Sequence, residues 1–269
     1  MPRPNDHPFF SIITVSLNSG KSVSDTIQSV LNQSCRDFEI IIKDGGSTDG
    51  SLGFLRPDER IHLSVSQDSG IYDAMNQALK LASGEYILFL NAGDTLLSRN
   101  VLQEILTFST GQKPSLIYSD YLKGTNKTLI RNPAHLTSSY LMRTMICHQV
   151  CFFRKECYDR SGNFNTDYKV AADYDFLVRA IHQKKGSHLH YPHPTIHYVG
   201  GGYSISNMGQ SLREVKEIRK KYFAPLRLFF FYSWYLFTFP KIRQQIVEKY
   251  NPGFYFQFSN LIRSGGKAR

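Results

Sequence analysis

The residue of this chain best placed to do chemistry is a carboxylate at the end of an apolar run. Tyr86-Ile87-Leu88-Phe89-Leu90 stops abruptly at Asn91-Ala92-Gly93-Asp94. Such a run reads as a buried strand that delivers an acid to its carboxyl end, where open α/β sheets bind ligands. A single carboxylate on a short turn suits a divalent cation, Mg²⁺ or Mn²⁺, that takes its other ligands from a diphosphate and water. A second apolar run, over 38–43, breaks at Asp44-Gly45-Gly46-Ser47-Thr48-Asp49-Gly50, whose glycines permit close backbone approach to a ligand. The loop lacks the Gly-x-Gly-x-x-Gly spacing and no Walker lysine follows, so neither the dinucleotide nor the P-loop mode applies. Asp44 can accept hydrogen bonds from a base or ribose, or it can cap its own Gly/Asp turn.

These acids need a scaffold, and the hydrophobic spacing supplies one. Strands are expected over 9–17, 38–43, 61–65 and 86–90. Between them lie two helical patterns: 22–32, with Val23, Ile27, Val30 and Leu31, and 72–82, with Ala74, Ala78, Leu79 and Ala82 inward. This alternation predicts an α/β fold with a Rossmann-like, mostly parallel sheet and helices on both faces. The second half is less regular. Strands are expected over 116–122, 148–154 and 195–199, and an amphipathic helix over 173–182 with Phe176, Leu177, Ala180 and Ile181 on one side. A further helix over 209–223 is striped by Leu212, Val215, Ile218 and Tyr222. There is no internal repeat and no low-complexity linker.

With 269 residues the chain can bury a substantial core as one large domain or two small ones. Its formal net charge of +10 implies an anionic partner: nucleic acid, a phospholipid surface or a phosphorylated substrate. The N-terminus has no apolar core, so no signal peptide is expected. Cys35, Cys147, Cys151 and Cys157 form no Cys-x-x-Cys pair and read as reduced, structural thiols of a cytoplasmic protein. Residues 226–239, Leu-Arg-Leu-Phe-Phe-Phe-Tyr-Ser-Trp-Tyr-Leu-Phe-Thr-Phe, are too short and too interrupted to span a bilayer, which needs ~20 apolar residues. Flanked by Arg219-Lys220-Lys221 and Lys241-Ile242-Arg243, they suit the headgroup boundary of an anionic membrane, or a helix packed on the domain or a dimer partner. Nucleic acid is set aside, because the basic residues flank aromatics and form no recognised module.

Several motifs, taken in order, carry a resemblance. Ser11-Ile12-Ile13-Thr14-Val15, the Asp44–Gly50 loop and Gly84-Glu85-Tyr86-Ile87-Leu88-Phe89-Leu90-Asn91-Ala92-Gly93-Asp94 resemble the family 2 glycosyltransferases. Asp68-Ser69-Gly70-Ile71-Tyr72-Asp73-Ala74-Met75-Asn76, His148-Gln149 and Tyr168-Lys169-Val170-Ala171-Ala172-Asp173-Tyr174 are similar to its bacterial exopolysaccharide branch, including the colanic-acid transferases. The likeness covers about residues 9 to 205.

The resemblance implies a GT-A fold over 1–205, a nucleotide-sugar donor (most often a UDP-sugar), a divalent cation and inversion at the anomeric carbon. Residues 206–269 would form a C-terminal helical, basic and aromatic extension that associates with the membrane. It implies that Asp94 holds the metal, that Asp173 is the base, and that Val15, Ser16, Asn18, Asp44, Asp68, Gly70, Tyr72, Asn76, Asn91, Ala92 and Gly93 bind the donor. Asp173 also sits near a helix start, where a structural acid is the rival reading. His148, Gln149 and Tyr174 are placed on the acceptor side, with a satisfied core histidine as the alternative for His148. His197 is a candidate metal ligand, or a strand residue facing solvent. His188, His190, His193 and His197 straddle Pro192 and Pro194 and lack a zinc spacing. Against the family pattern, Gly45 replaces the second nucleoside acid, Asn91 replaces a metal-motif acid and Met75 stands where relatives carry an arginine. The expectation is an inverting, metal-dependent transferase of surface-polysaccharide assembly, peripheral on the inner face of the cell membrane, with a lipid-linked saccharide as acceptor. A non-catalytic nucleotide-sugar-binding relative is the alternative.

Overall fold

The computed structural model describes residues 7–200, 206–225 and 228. Four parallel strands organise the first half. β1 (Phe10–Ser16) lies between β2 (Phe38–Asp44) and β4 (Tyr86–Phe89), and β3 (Ile61–Val65) flanks β2. β1 is buried along its whole length because it faces two cores. Phe10 and Ile12 pack with α1 (Ser22–Leu31) and α3 (Val101–Ser109), whereas Ile13 and Val15 pack with α2 (Ile71–Leu79) on the other face. The strand's two-residue period sends alternate side chains to opposite faces, which is why its sequence is an unbroken apolar run.

The second half of the sheet is mixed. β8 (Cys151–Arg154) runs antiparallel between β4 and β6 (Leu116–Lys123); β9 (His188–Tyr198) lies parallel to β6 and carries β5 (Thr95–Leu96) antiparallel. β7 (Thr128–Ile130) pairs with β6. The remaining helices are α4 (Ser138–Arg143), α5 (Glu156–Ser161), α6 (Ala172–Leu177) and α7 (Met208–Tyr222).

Three expected elements differ from those observed. The strand expected over 148–154 starts only at Cys151, because His148–Val150 form a 3₁₀ turn. An extended strand would send His148 and Gln149 to opposite faces; in the turn each bonds an acid, Asp173 and Asp94. The helix expected over 173–182 has a regular turn, α6, that widens into a π-helical turn over Val178–Gln183, and it is buried nearly all round rather than on one side. Arg179 fixes it there, pairing with Asp175 at 2.7 Å and donating to the carbonyls of Ser161, Gly162 and Asn163. The strand expected over 195–199 extends back to His188, and its register shifts where Pro194 faces Asp120. A proline lacks the ladder donor, so an irregularity is where a strand tolerates it.

The expected boundary at 205 does not separate two cores among the described residues. Ile218, Phe223 and Leu228 are buried in the same cluster as α2 and α6. Apart from Leu228, the basic and aromatic stretch 226–239 lies outside the described residues. Among those described, no helix is long and apolar enough to cross a membrane.

Candidate active site

Asp94 ends the turn that leaves β4. Gly93 adopts φ +99°, and its N–H donates to Thr26 Oγ1 of α1 at 2.8 Å, fixing the turn against the helix. Asp94 is 4% exposed. Its Oδ1 accepts Val199 N–H at 3.0 Å and its Oδ2 accepts Gln149 Nε2 at 3.1 Å. Burial pushes its carboxyl up to about 6, against the lowering effect of Val199 N–H and of nearby His148, Gln149 and His197. Three residues earlier, Asn91 turns its amide to His148, with Nδ2 3.3 Å from the ring Nε2.

Two consecutive residues, His148 and Gln149, connect the two acids. The Nδ1 of His148 lies 3.0 Å from Asp173 Oδ2, where an N–H donates to the carboxylate, and its Nε2 faces the Asn91 amide. The consecutive residues His148 and Gln149 thus hold one acid each, Asp173 and Asp94. Asp173 Oδ1 accepts Tyr174 N–H at 2.9 Å and lies 3.1 Å from Tyr72 Oη, which is also 2.8 Å from Val170 O. The side chain of Asp173 keeps 12% of its surface exposed. With one partner, Oδ2 retains a free lone pair. Tyr72 is buried beside that carboxylate, and both effects hold its phenol well above its ordinary range, so it keeps its proton and can donate.

The donor-side loops behave differently from the expectation. Asp44 is fully buried, and its carboxylate is committed to its own loop: Oδ1 accepts Gly46 N–H at 2.9 Å and Ser47 N–H at 2.6 Å, while Oδ2 takes Ser47 Oγ–H at 2.7 Å. Ser47 Oγ in turn meets Asn18 N–H at 2.8 Å, and Asn18 Oδ1 takes Thr48 N–H at 2.9 Å, so Asp44 shapes the face that Asn18 and Ser16 share. Asp68 is the acid that reaches the glycine loop. A side chain on Gly45 would place its Cβ 2.9 Å from Asp68 Oδ2. The space of the family's second acid is therefore filled by a carboxylate from another loop. Lys43 holds it there: this fully buried lysine bonds Asp68 Oδ2 at 3.0 Å, Ser66 O at 2.6 Å and Asp44 O at 3.1 Å. Gly70 N–H donates to Asp68 Oδ1 at 3.1 Å. Sequence reading missed Lys43. Its one signal was a charge at a position where the strand pattern requires burial.

Other expected site residues are engaged elsewhere in the fold. Tyr174, placed on the acceptor side, is 1% exposed, and its hydroxyl donates to Leu141 O at 2.5 Å inside the core. Asn76 is a strut, its amide bonding both Phe164 O and Phe164 N–H at 2.9 and 3.0 Å. Val15 belongs to the core. His197 donates from Nε2 to Gly124 O at 2.9 Å, leaving Nδ1 as the nitrogen that could ligate. His188 and His190 serve elsewhere, the first accepting Leu136 N–H and the second pairing with Asp120 at 2.9 Å. The four cysteines are free thiols.

The fit to a divalent cation can be tested on the chain's own atoms. Among the described residues no group of three or more His, Cys, Asp or Glu forms a metal cage. The Asn91–Asp94 turn nevertheless offers two hard oxygens: the desolvated Asp94 carboxylate, and Asn91 Oδ1, which is buried with no partner. An incomplete oxygen set suits a cation that arrives with diphosphate and water.

The sequence matches a known family, and the fold is shared with solved structures. The model of "Glycosyl transferase family 2" matches residues 11–174. A PGL/p-HBAD biosynthesis glycosyltransferase of Mycobacterium bovis (strain BCG / Pasteur 1173P2) is 36% identical over 181 residues, 65% of this chain and 70% of that one. The putative teichuronic acid biosynthesis glycosyltransferase TuaG of Bacillus subtilis (strain 168) is 36% identical over 122 residues, 44% of this chain and 48% of that one. Two solved structures share the fold. S. aureus TarS 1–349 in complex with UDP-GlcNAc has a TM-score of 0.63 at 20% identity, over 73% of this chain and 60% of that one. The mannosyltransferase PcManGT from Pyrobaculum calidifontis, in complex with GDP-Man and Mn²⁺, has a TM-score of 0.60 at 20% identity, over 77% of this chain and 62% of that one. The chain spans only 38% of the length of a longer TarS structure. This chain belongs to glycosyl transferase family 2, and its fold is of the GT-A type.

Proposed function

We propose that this family 2 glycosyltransferase moves a sugar from a nucleoside-diphosphate donor, a UDP-sugar, onto a hydroxyl of a lipid-linked saccharide, with inversion at the anomeric carbon. The observation that carries the reading is the chain of contacts Asp94–Gln149–His148–Asp173, in which two consecutive residues join acids far apart in sequence. Asp173 takes the acceptor proton on the free lone pair of Oδ2 as the acceptor oxygen attacks C1. The new O–C1 bond forms as the C1–O bond to the diphosphate breaks on the opposite side, and the nucleoside diphosphate leaves. His148 Nδ1, 3.0 Å from Oδ2, fixes the carboxylate's orientation. Asp94, with Asn91 Oδ1, would hold a divalent cation, which supplies Lewis-acid stabilisation of charge developing on the departing diphosphate. Asn18, Ser16, Gly70 and Asp68 line the donor side, shaped by Asp44 and Lys43. The Asp68 carboxylate, set beside Gly45, is the group that accepts hydrogen bonds from the base or ribose.

The donor complexes of TarS and PcManGT support the donor class, and the PGL/p-HBAD and teichuronic acid relatives support a surface glycoconjugate as product. We assign the basic, aromatic segment after Phe223 to an anionic membrane surface at the inner face, where a lipid-linked acceptor would reside. Thermal shift against a panel of nucleotide sugars with Mn²⁺, followed by donor turnover on the hits, tests the reading. A UDP-sugar should stabilise the chain only with the metal and should release UDP. Stabilisation without metal-dependent release from any donor would leave a nucleotide-sugar-binding protein instead. Liposome flotation that is unchanged after truncation beyond Phe223 would remove the membrane assignment.

A further inference from the structure

The acid read above as the base sits in the first turn of α6, and that turn has no side-chain cap of its own: Ala171 holds the cap position. A helix start leaves several backbone N–H groups without helical partners. Here a residue from the far end of the described chain takes the N–H groups that lead into it. Glu214 of α7 is 7% exposed and aims its carboxylate at the 169–171 turn. Its Oε1 accepts Lys169 N–H at 2.9 Å, and its Oε2 accepts Val170 N–H and Ala171 N–H, each at 2.9 Å. Gln210 Nε2, one helical turn earlier, donates to Oε1 at 2.9 Å. Four donors satisfy the carboxylate, so it is buried at little cost. The same helix grips α6 again where Tyr222 Oη–H donates to Asp175 Oδ1 at 2.9 Å. Val170, held by Glu214 through its N–H, offers its carbonyl to Tyr72, whose hydroxyl also meets Asp173.

We propose that Glu214 is a positioning residue of the transfer reaction: an acid from α7 that locks the 169–171 backbone so that Asp173 faces His148 and the acceptor hydroxyl. The inference rests on the reading of Asp173 as base, and it extends the working catalytic unit beyond residue 174, where the family match ends. A latch of this kind acts on the reacting geometry and leaves the donor site, built from the loops at 16–18, 43–47 and 68–70, untouched. A displacement of about 1 Å at a reacting group costs on the order of a hundredfold in rate.

The test uses the full chain with Glu214→Gln, which keeps the shape but turns an amide toward backbone donors, and Glu214→Asp, which keeps the charge but shortens the reach. Glu217→Gln, on the exposed side of the same helix, is the control. For Glu214→Gln, kcat should fall about tenfold to a hundredfold while donor KM stays within about twofold, and amide exchange of residues 169–171 should accelerate. Glu214→Asp should show the same split to a smaller extent, and it carries the test if the Gln variant does not fold. Wild-type exchange at 169–171 in either folded variant, or opened exchange with unchanged kcat, overturns the proposal. So does a matched rise in KM with no loss of kcat. Asp173→Asn, measured alongside, separates the two claims: full activity there refutes the base assignment, whereas an inactive Asp173→Asn beside a fully active Glu214→Gln refutes the latch alone.

Discussion

Replacing Asp94 by Asn should stabilise the chain at pH 8 while destroying cation-dependent donor binding. Burial moves this carboxyl from 3.8 to about 6. Between those values the folded chain retains a proton that the unfolded chain has released, so wild-type stability falls as pH rises through that window and levels off above it. The full displacement amounts to about 3 kcal/mol at pH 8. Asn has no charge to desolvate, but it keeps only one acceptor oxygen for the two donors, Val199 N–H and Gln149 Nε2. That mismatch costs about 1 kcal/mol. The balance is about 2 kcal/mol in favour of the variant, or about 4–8 °C in Tm for a chain of this size. Near pH 4.5 the wild-type carboxyl is protonated, and the advantage should vanish or reverse. Thermal unfolding of both proteins without metal at the two pH values reads the difference. An Asp94→Asn advantage that is the same at both pH values, or larger at the lower one, would refute the reasoning.

Three further outcomes follow from the same contacts. Lys43→Met leaves Asp68 without its buried partner and should cost about 3 kcal/mol of stability, seen as a lower Tm, together with a raised donor KM; an unchanged KM would dissociate Asp68 from the donor. His148→Ala removes the donor to Asp173 Oδ2 and should lower kcat about tenfold to a hundredfold with donor KM unchanged, measured by UDP release. Asn76→Ala cuts both bonds to Phe164 and should lower Tm by several degrees, on the order of 2 kcal/mol, while metal-dependent donor affinity measured by calorimetry stays the same.

What the sequence made legible followed from its periodicities. β1, β2 and β4 were readable because they are buried throughout, and α1 and α2 because each buries one regular face; β3 was readable from its apolar residues although Leu63 and Val65 are exposed. The position of Asp94 was readable because an apolar run ends just before it. Helical phase, used more strictly, would have read two residues better. Tyr72, Asn76 and Leu79 share one face of α2, so Asn76 had to point inward with the core. Neighbours on a helix diverge by about 100°, so Tyr174 could not face the cleft beside Asp173. α3 escaped notice although Val101, Leu102 and Ile105 carry a helical spacing. The role of Glu214 left no local trace. An acid among arginines and lysines on a helix looks like a solvated face, and only the tertiary fold brings three backbone N–H groups to it. Asp68 beside Gly45 was hidden for the same reason, since a missing side chain and the group that fills its space lie on different loops.

The proposed division of roles between Asp94 and Asp173 is tested most directly by measuring donor binding and turnover together in Asp173→Asn and Asp94→Ala. With Mn²⁺ and the UDP-sugar identified by thermal shift, calorimetry should find wild-type donor affinity in Asp173→Asn, whose transfer rate falls by about a hundredfold or more. Asp94→Ala should lose the metal-dependent part of donor binding itself. Comparable turnover in Asp173→Asn and wild type, or undiminished metal-dependent binding in Asp94→Ala, would contradict the division of labour between the two acids.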